Sequence, residues 1–324
     1  MTTILLITNK NDITTDFIVN ELTRQNASFY RLNTEEIGNS VEIHFDFENG
    51  TYDLIDNTLK KRINLSNIIS VYFRRPEIKS NFQDVSSSEK NFLQREISAS
   101  LETLYILLSN ANWLNSLDSI RKAENKSYQL LKAKQIGLTI PPSIISSNSD
   151  SVLKFYEKCE KDCIIKPIRN GLIQDDDVET IIFTSKISLN QNNIDRIKSC
   201  PVYIQKHINK LADVRVTVVG DSVFAAKIHS QEDKESQVDW RRSENLLNHT
   251  ILELPKEIQN MCVNYVKSLN LTFGAIDFIL TEKSEYIFLE INPNGQWAWI
   301  ERRLGLPIAK TITKLLLEKQ NFKN

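Results

Sequence analysis

The stretch FGAIDFILTEKSEYIFLEINPNG, residues 273–295, decides how this chain folds. Two apolar-rich runs, 273–280 and 285–292, flank Glu282-Lys283-Ser284, a pattern that predicts an antiparallel hairpin. Alternation along the second run puts Glu290 and Asn292 on one face, with Phe288 beside them and Ile287, Leu289 and Ile291 behind. Closing the hairpin brings Asp277 level with that polar pair. Two carboxylates and one amide oxygen then converge from rigid backbone, and hard oxygen donors of this kind suit Mg²⁺. Polar residues on a strand more often simply face water. Here Asn292-Pro293-Asn294-Gly295 bends the chain at once and leaves Asn292 at the rim of the sheet.

Working outward, DVRVTVVG (213–220) and SVFAAKI (222–228) predict a second hairpin that turns at Gly220-Asp221. A helix is predicted over 255–269, and two more over 296–304 and 307–319. Residues 120–136 read as a helix ended by Gly137, with Pro141-Pro142 beyond it. Short helices and strands alternate from 149 to 206. At the other end, TILLIT (3–8), the helical spacing of 13–25 and SFYRLN (28–33) give a β-α-β opening and so a small parallel sheet. VEIHFDF (41–47) runs into Asn49-Gly50, ISVYFRRPE (69–77) adds a strand, and Ser86-Ser87-Ser88 opens a long helix over 88–110. The pattern breaks between 112 and 118. The fold class is α/β, with an N-terminal domain of residues 1–117 followed by subdomains 118–203 and 204–324.

Forty lysines and arginines against forty-one aspartates and glutamates give a net charge of −1, which argues against a general nucleic-acid binder. Hydrophobic residues make up 41% of 324, enough to core two or three subdomains and too many for a disordered chain. No apolar run is long enough to span a membrane. The opening MTTILLITNK has neither the basic segment nor the apolar length of an export signal. A cytoplasmic protein with its four cysteines reduced is expected. Cys159 and Cys163 have no histidine or third cysteine nearby to complete a zinc site.

Asp277 followed by Glu290-x-Asn292 on the next strand, with isolated lysines upstream, resembles the ATP-grasp superfamily of carboxylate-activating ligases. ENKSYQLLKAKQIGLTIPPS (124–143) resembles the segment with the family's first nucleotide lysine, and CIIKPIRNG (163–171) the segment with the second. PVYIQKHINKLADVRVTVVG (201–220) resembles the adenine hinge and the strand after it. The resemblance implies an ATP-grasp fold, with 1–117 as a pre-ATP-grasp domain and the other two segments as the central and C-terminal ATP-grasp subdomains. It implies ATP and Mg²⁺ as cofactors, with Asp277, Glu290 and Asn292 on the metal. Lys126 and Lys166 would clamp the polyphosphate. Gln205, Lys206, His207 and Ile208 would form the hinge over adenine, largely through backbone groups, with Asp213 among the cofactor-binding residues and Leu289 or Ile291 in apolar contact. One departure is the flap RNGLIQDDDVET (169–180), which is acidic and carries only Gly171.

Three further stretches, VYFRRPE (71–77), IIFTSKI (181–187) and EINPNGQWAWIERRLGLPIA (290–309), resemble the microviridin-type ligases, the graspetide synthetases. That family implies phosphorylation of Asp or Glu side chains in a ribosomal precursor peptide, leader plus acidic core. Ser or Thr hydroxyls or Lys amines of the same peptide then attack, closing ω-ester or ω-amide rings. Arg215, sharing a strand face with Asp213, and Arg241 in VDWRRSE (238–244) would act on the activated carboxylate. Arg74, Arg75, Lys166, Arg215, Arg241 and Arg242 are expected to gather at the cleft and draw in an acidic peptide. Trp297 and Trp299 fit either packing under the last helix or peptide contact. Rival readings are a ligase that adds a free amino acid to a carboxylate, and a nucleotide-binding scaffold without catalysis. A homodimer is left open, and no nucleic acid or membrane is expected as a partner.

Overall fold

The structure is a computed structural model that describes residues 2–78, 82, 85–169, 171–175, 178–243 and 247–318. The chain forms two compact units, one of residues 1–117, 296–301 and 307–324, the other of 118–295 and 302–306.

The first unit opens as its apolar alternation predicts. Strands β1 (Thr3–Thr8) and β2 (Phe29–Asn33) flank helix α1 (Ile13–Arg24). Strands β3 (Val41–Asp46), β4 (Thr51–Asp56) and β5 (Lys61–Asn64) form a separate antiparallel sheet, with Gly50 left-handed in the first turn. Strand β6 (Ile68–Phe73), helix α2 (Ser87–Leu107) and strand β7 (Asn112–Trp113) follow, giving a parallel sheet in the order β2-β1-β6-β7. A reciprocal capping box between Ser86 and Glu89 starts α2.

The second unit begins with helix α3 (Leu117–Ala123) and helix α4 (Lys126–Ile136). A single helix over 120–136 was the sequence expectation; it is two because Asn125 takes an extended backbone and its side chain accepts the Tyr128 amide. Strand β8 (Ser143–Ser146), helix α5 (Ser149–Lys158), strand β9 (Cys163–Lys166), the hairpin β10 (Leu172–Asp175) and β11 (Val178–Ile181), strand β12 (Ser185–Lys186), helix α6 (Gln191–Ile194) and strand β13 (Val202–Lys206) come next. Residues 180–184 are the end of β11 and the approach to β12. Asn170, Asp176 and Asp177 of the acidic flap lie outside the described residues.

Strands β14 (Ala212–Val219), β15 (Ser222–Ile228), β16 (His249–Ile251), β17 (Phe273–Leu280) and β18 (Tyr286–Asn292) form one antiparallel sheet in the order β16-β15-β14-β17-β18. Helix α7 (Lys256–Ser268) covers its apolar face, where Val214, Val216, Ile276, Phe278 and Phe288 join Tyr265 and Val266 in a dry core. A smaller sheet in the order β12-β9-β13-β8 packs on α5 through Val152, Tyr156, Cys163 and Ile204. Among the described residues no helix is long and apolar enough to cross a membrane.

Helices α8 (Ala298–Leu304) and α9 (Ile308–Leu317) end the described chain. Within the first unit, Ser70 Oγ donates to the Leu316 carbonyl at 2.5 Å and Asn112 Nδ2 to the Leu315 carbonyl at 3.0 Å. Trp297 is fully buried there, edge-on to Phe17 with ring centroids 6.0 Å apart. Of the two readings of this tryptophan, packing is the one observed.

Candidate active site

Three adjacent strands place one residue each in a single row. Arg215 on β14 lies directly opposite Asp277 on β17, and Asp277 opposite Glu290 on β18. Arg215 Nε donates to Asp277 Oδ1 at 2.7 Å and Nη2 to Oδ2 at 3.3 Å, a two-point contact that fixes both groups. The register slips between Asp277 and Phe278, whose partner is Phe288, so Leu289 is the extra residue of a bulge. The bulge turns Phe288 onto the apolar face with Ile291, not onto the Glu290 face expected from simple alternation. Ile291 is in the core and cannot be the apolar contact to adenine.

Asn292 sits two positions along, opposite Ala275, and its Oδ1 accepts the Asn294 amide at 2.9 Å. The turn then folds tightly onto β17: a methyl on Gly295 would come 2.3 Å from the Ala275 Cβ, so no side chain fits there. Buried Gln129 on α4 holds the edge strand at the same level. Its amide donates to the Ile291 carbonyl at 2.9 Å and accepts the Ile291 amide at 3.1 Å, as a neighbouring strand would.

Cations surround this row. Lys126, the first residue of α4, places Nζ 3.5 Å from Glu290 Oε2 and donates to the Pro167 carbonyl at 3.0 Å. Arg241 Nη1 is 3.7 Å from Glu290 Oε1. Burial disfavours the Glu290 carboxylate, but Lys126, Arg241, Lys166 and Arg215 outweigh it and hold this carboxyl below its ordinary value. Burial pushes the Asp277 carboxyl up, with Arg215 opposing and Glu290 adding to the push. Lys166, the last residue of β9, is pulled down to about 8 by burial, although Glu290 works the other way. Among the described residues no group of three histidines, cysteines or acids forms a metal cluster, so a cation here would need the amide oxygen of Asn292 beside the two carboxylates. That donor set fits Mg²⁺, and a divalent charge would relieve the Asp277–Glu290 opposition.

On β13, Tyr203 and Gln205 face the same side as Lys166. Gln205 Nε2 donates to Ser143 Oγ at 2.9 Å and Tyr203 Oη at 3.0 Å, while its Oε1 is buried with no partner among the described residues. The Lys206 amide donates to the Pro142 carbonyl at 2.9 Å. Proline has no N–H to return, so Pro142 cannot answer the Lys206 carbonyl. His207 is tied down instead, its Nδ1 3.0 Å from Asp162 Oδ2, and half-buried Ile208 follows it. An unmet amide oxygen and a carbonyl that its strand partner cannot answer suit the exocyclic amine of adenine.

Other predicted residues have partners of their own. Asp213 is a buried partner of Lys210, Nζ to Oδ2 2.6 Å. Arg242 turns away from Glu290 to the Thr184 carbonyl at 2.8 Å and Ser185 Oγ at 2.6 Å. Arg74, expected among the cleft cations, is 1% exposed and paired with Asp12 in the first unit at 3.0 Å, where it closes the end of the parallel sheet. The Arg75 carbonyl accepts from Asn9 Nδ2 at 2.7 Å. Three contributors escaped the sequence reading. Asp239 grips Arg241 through Nε and Nη2, both at 2.8 Å; Trp240 lies under Arg215, 5.8 Å from its guanidinium carbon; and Lys210 holds Asp213. Asp239 and Trp240 stand inside the quoted VDWRRSE, so reading that segment for partners rather than for arginines alone would have found them.

Comparison with known proteins gives two family matches: the MvdD pre-ATP grasp domain over residues 3–121 and the RimK-like ATP-grasp domain over 122–316. The RiPP-associated ATP-grasp ligase of Chryseobacterium gregarium, solved with ADP and a leader and core peptide, is similar with a TM-score of 0.87 and 27% identity, over 98% of this chain and 96% of that one. The macrocyclase MdnC of Microcystis aeruginosa, bound with precursor peptide MdnA, gives 0.83 and 25%, over 98% and 99%. Among curated proteins, the glutamate–LysW ligase ArgX of Sulfolobus acidocaldarius is 26% identical over 221 residues, 64% of this chain and 73% of that protein.

Proposed function

The chain belongs to the RimK-like ATP-grasp family of ligases, and from that premise we propose that it closes side-chain links in a ribosomally made precursor peptide. An Asp or Glu carboxylate of the peptide attacks the γ-phosphorus of ATP, releasing ADP and leaving an acyl phosphate. A Ser or Thr hydroxyl, or a Lys amine, of the same peptide then attacks the acyl carbon and expels phosphate. The row Arg215–Asp277–Glu290, with Arg241 at its end, carries this reading: it sets two guanidinium groups beside a carboxylate pair where one acyl phosphate could lie. Similarity over nearly the whole chain to ligases solved with precursor peptides supports it.

Each residue has a task in this scheme. Gln205 Oε1 and the Lys206 carbonyl would accept from the adenine amine, with His207 and Ile208 completing the hinge. Lys126 and Lys166 hold the phosphates. Arg215 and Arg241 take the charge that builds on the transferred group, already oriented by Asp277 and Asp239 and so with little reorganisation left to do. Asp277, Glu290 and Asn292 would hold Mg²⁺, which when bound neutralises phosphate charge.

The test is a mass measurement. Incubated with ATP, Mg²⁺ and a precursor rich in Asp or Glu with Ser, Thr or Lys, the enzyme should remove one water from the peptide per link formed. The curated relative that is a glutamate ligase favours a second reading, addition of a free amino acid. That reaction raises the acceptor's mass and makes ADP release depend on the amino acid. A peptide of unchanged mass, with ADP release stimulated by a free amino acid, would decide for it.

Lys166 gives a pH prediction. With its ammonium pulled down to about 8 by burial, rising pH discharges it in the nucleotide-free protein. A bound polyphosphate favours the charged form, so nucleotide binding takes up a proton above that pH and weakens as pH rises, by up to about tenfold per unit. Calorimetry of ADP binding in buffers of different ionisation enthalpy at alkaline pH should show the uptake. Affinity and heat that do not respond to pH or buffer would remove Lys166 from the phosphate site.

A further inference from the structure

The Lys210–Asp213 pair is buried at both ends, with side chains 5% and 7% exposed. An isolated buried ion pair is a poor source of stability, since two charges lose their water for one contact. Here each partner also acts on one loop. Lys210 Nζ donates to the Val238 carbonyl at 3.4 Å, and the Ser230 side chain helps hold down the Asp213 carboxyl that burial pushes up. Between those points the loop is tied to itself, Ser236 Oγ donating to the carbonyls of Ser230 at 2.6 Å and Asp233 at 2.9 Å, with both serines fully buried. Directly after Val238 come Asp239, which grips Arg241, and Trp240, which lies under Arg215.

We infer that Lys210 and Asp213 are positioning residues: they strap the two ends of the loop 230–238 to the start of β14 and so hold Trp240 and Arg241 over the Arg215–Asp277–Glu290 row. Asp213 stands two residues before Arg215 on that strand, so one backbone carries both the strap and the group it serves. Asp213 thereby has a task away from the nucleotide, in place of the cofactor contact expected of it. This assignment rests on the reading of Arg241 as a group that faces the reacting carboxylate.

Hydrogen exchange on the whole chain tests it without any peptide. In Lys210→Met, amides of 230–242 should exchange at least about tenfold faster, while those of α7 and β17 keep their wild-type rates. Lys210→Arg should restore protection. The double variant Lys210→Met/Asp213→Leu, which removes both charges, should keep the melting temperature and still show the loosened loop. ADP affinity should stay within about twofold of wild type in all three. Unchanged exchange in the loop, acceleration shared equally by α7 and β17, or failure of both Met variants to fold would each overturn the inference. Absence of ADP binding in the wild-type protein would instead sink the nucleotide reading, with the exchange pattern still deciding the loop.

Discussion

Glu290→Gln is expected to lower turnover at least about a thousandfold, roughly 4 kcal/mol of barrier, with the fold retained. The carboxylate pairs with both Lys126 and Arg241, and it lies opposite Asp277. Glutamine keeps the shape and one acceptor oxygen but removes the charge that a divalent cation and its cationic neighbours both require. Binding of ADP with Mg²⁺ and with EDTA, measured by calorimetry, should separate wild type from variant: Mg²⁺ should strengthen binding in the first and do little in the second. Turnover above about a tenth of wild type at saturating Mg²⁺ would remove Glu290 from the metal site.

Arg215→Ala should cost at least about a hundredfold in the chemical step, while ADP affinity changes by less than about threefold. Two of the guanidinium contacts go to Asp277 and its face rests on Trp240, so the group is held before any substrate arrives. Arg215→Lys should rescue little, because an ammonium cannot make the two-point contact. Single-turnover measurements of ADP formation read the chemical step directly. If nucleotide affinity fell as far as the rate, Arg215 would belong to the phosphate clamp and not to the acyl group.

Much of this site was legible in the order of residues, and the failures have physical causes. The hairpin 273–292 could be read because alternation, a polar turn and the asparagine-proline break agree with one another. The bulge at Leu289 could not, since Phe288, Leu289 and Ile291 are all apolar and any of them could face the core. Arg74 was expected among the cleft cations because its partner, Asp12, is distant in sequence and meets it only when the parallel sheet closes. Lys210 was passed over for the opposite reason: a lysine three residues from an aspartate usually marks a solvated turn, and burial alone makes this pair matter. Asp162, bonded to His207, was equally invisible, being brought there by the pairing of β9 with β13.

The return of α8 and α9 to the first unit bears on the order in which the protein is made. A chain leaves the ribosome from its N-terminus, and domains generally fold as units when their residues have emerged. Here the opening parallel sheet contributes Ser70 and Asn112 to bonds with the carbonyls of Leu316 and Leu315, and Phe17 meets its aromatic partner only at Trp297. Residues 118–295 are complete before those partners exist. The unit begun first is therefore the one finished last, and until then part of its apolar surface waits uncovered on a nascent chain that already holds the Arg215–Asp277–Glu290 row.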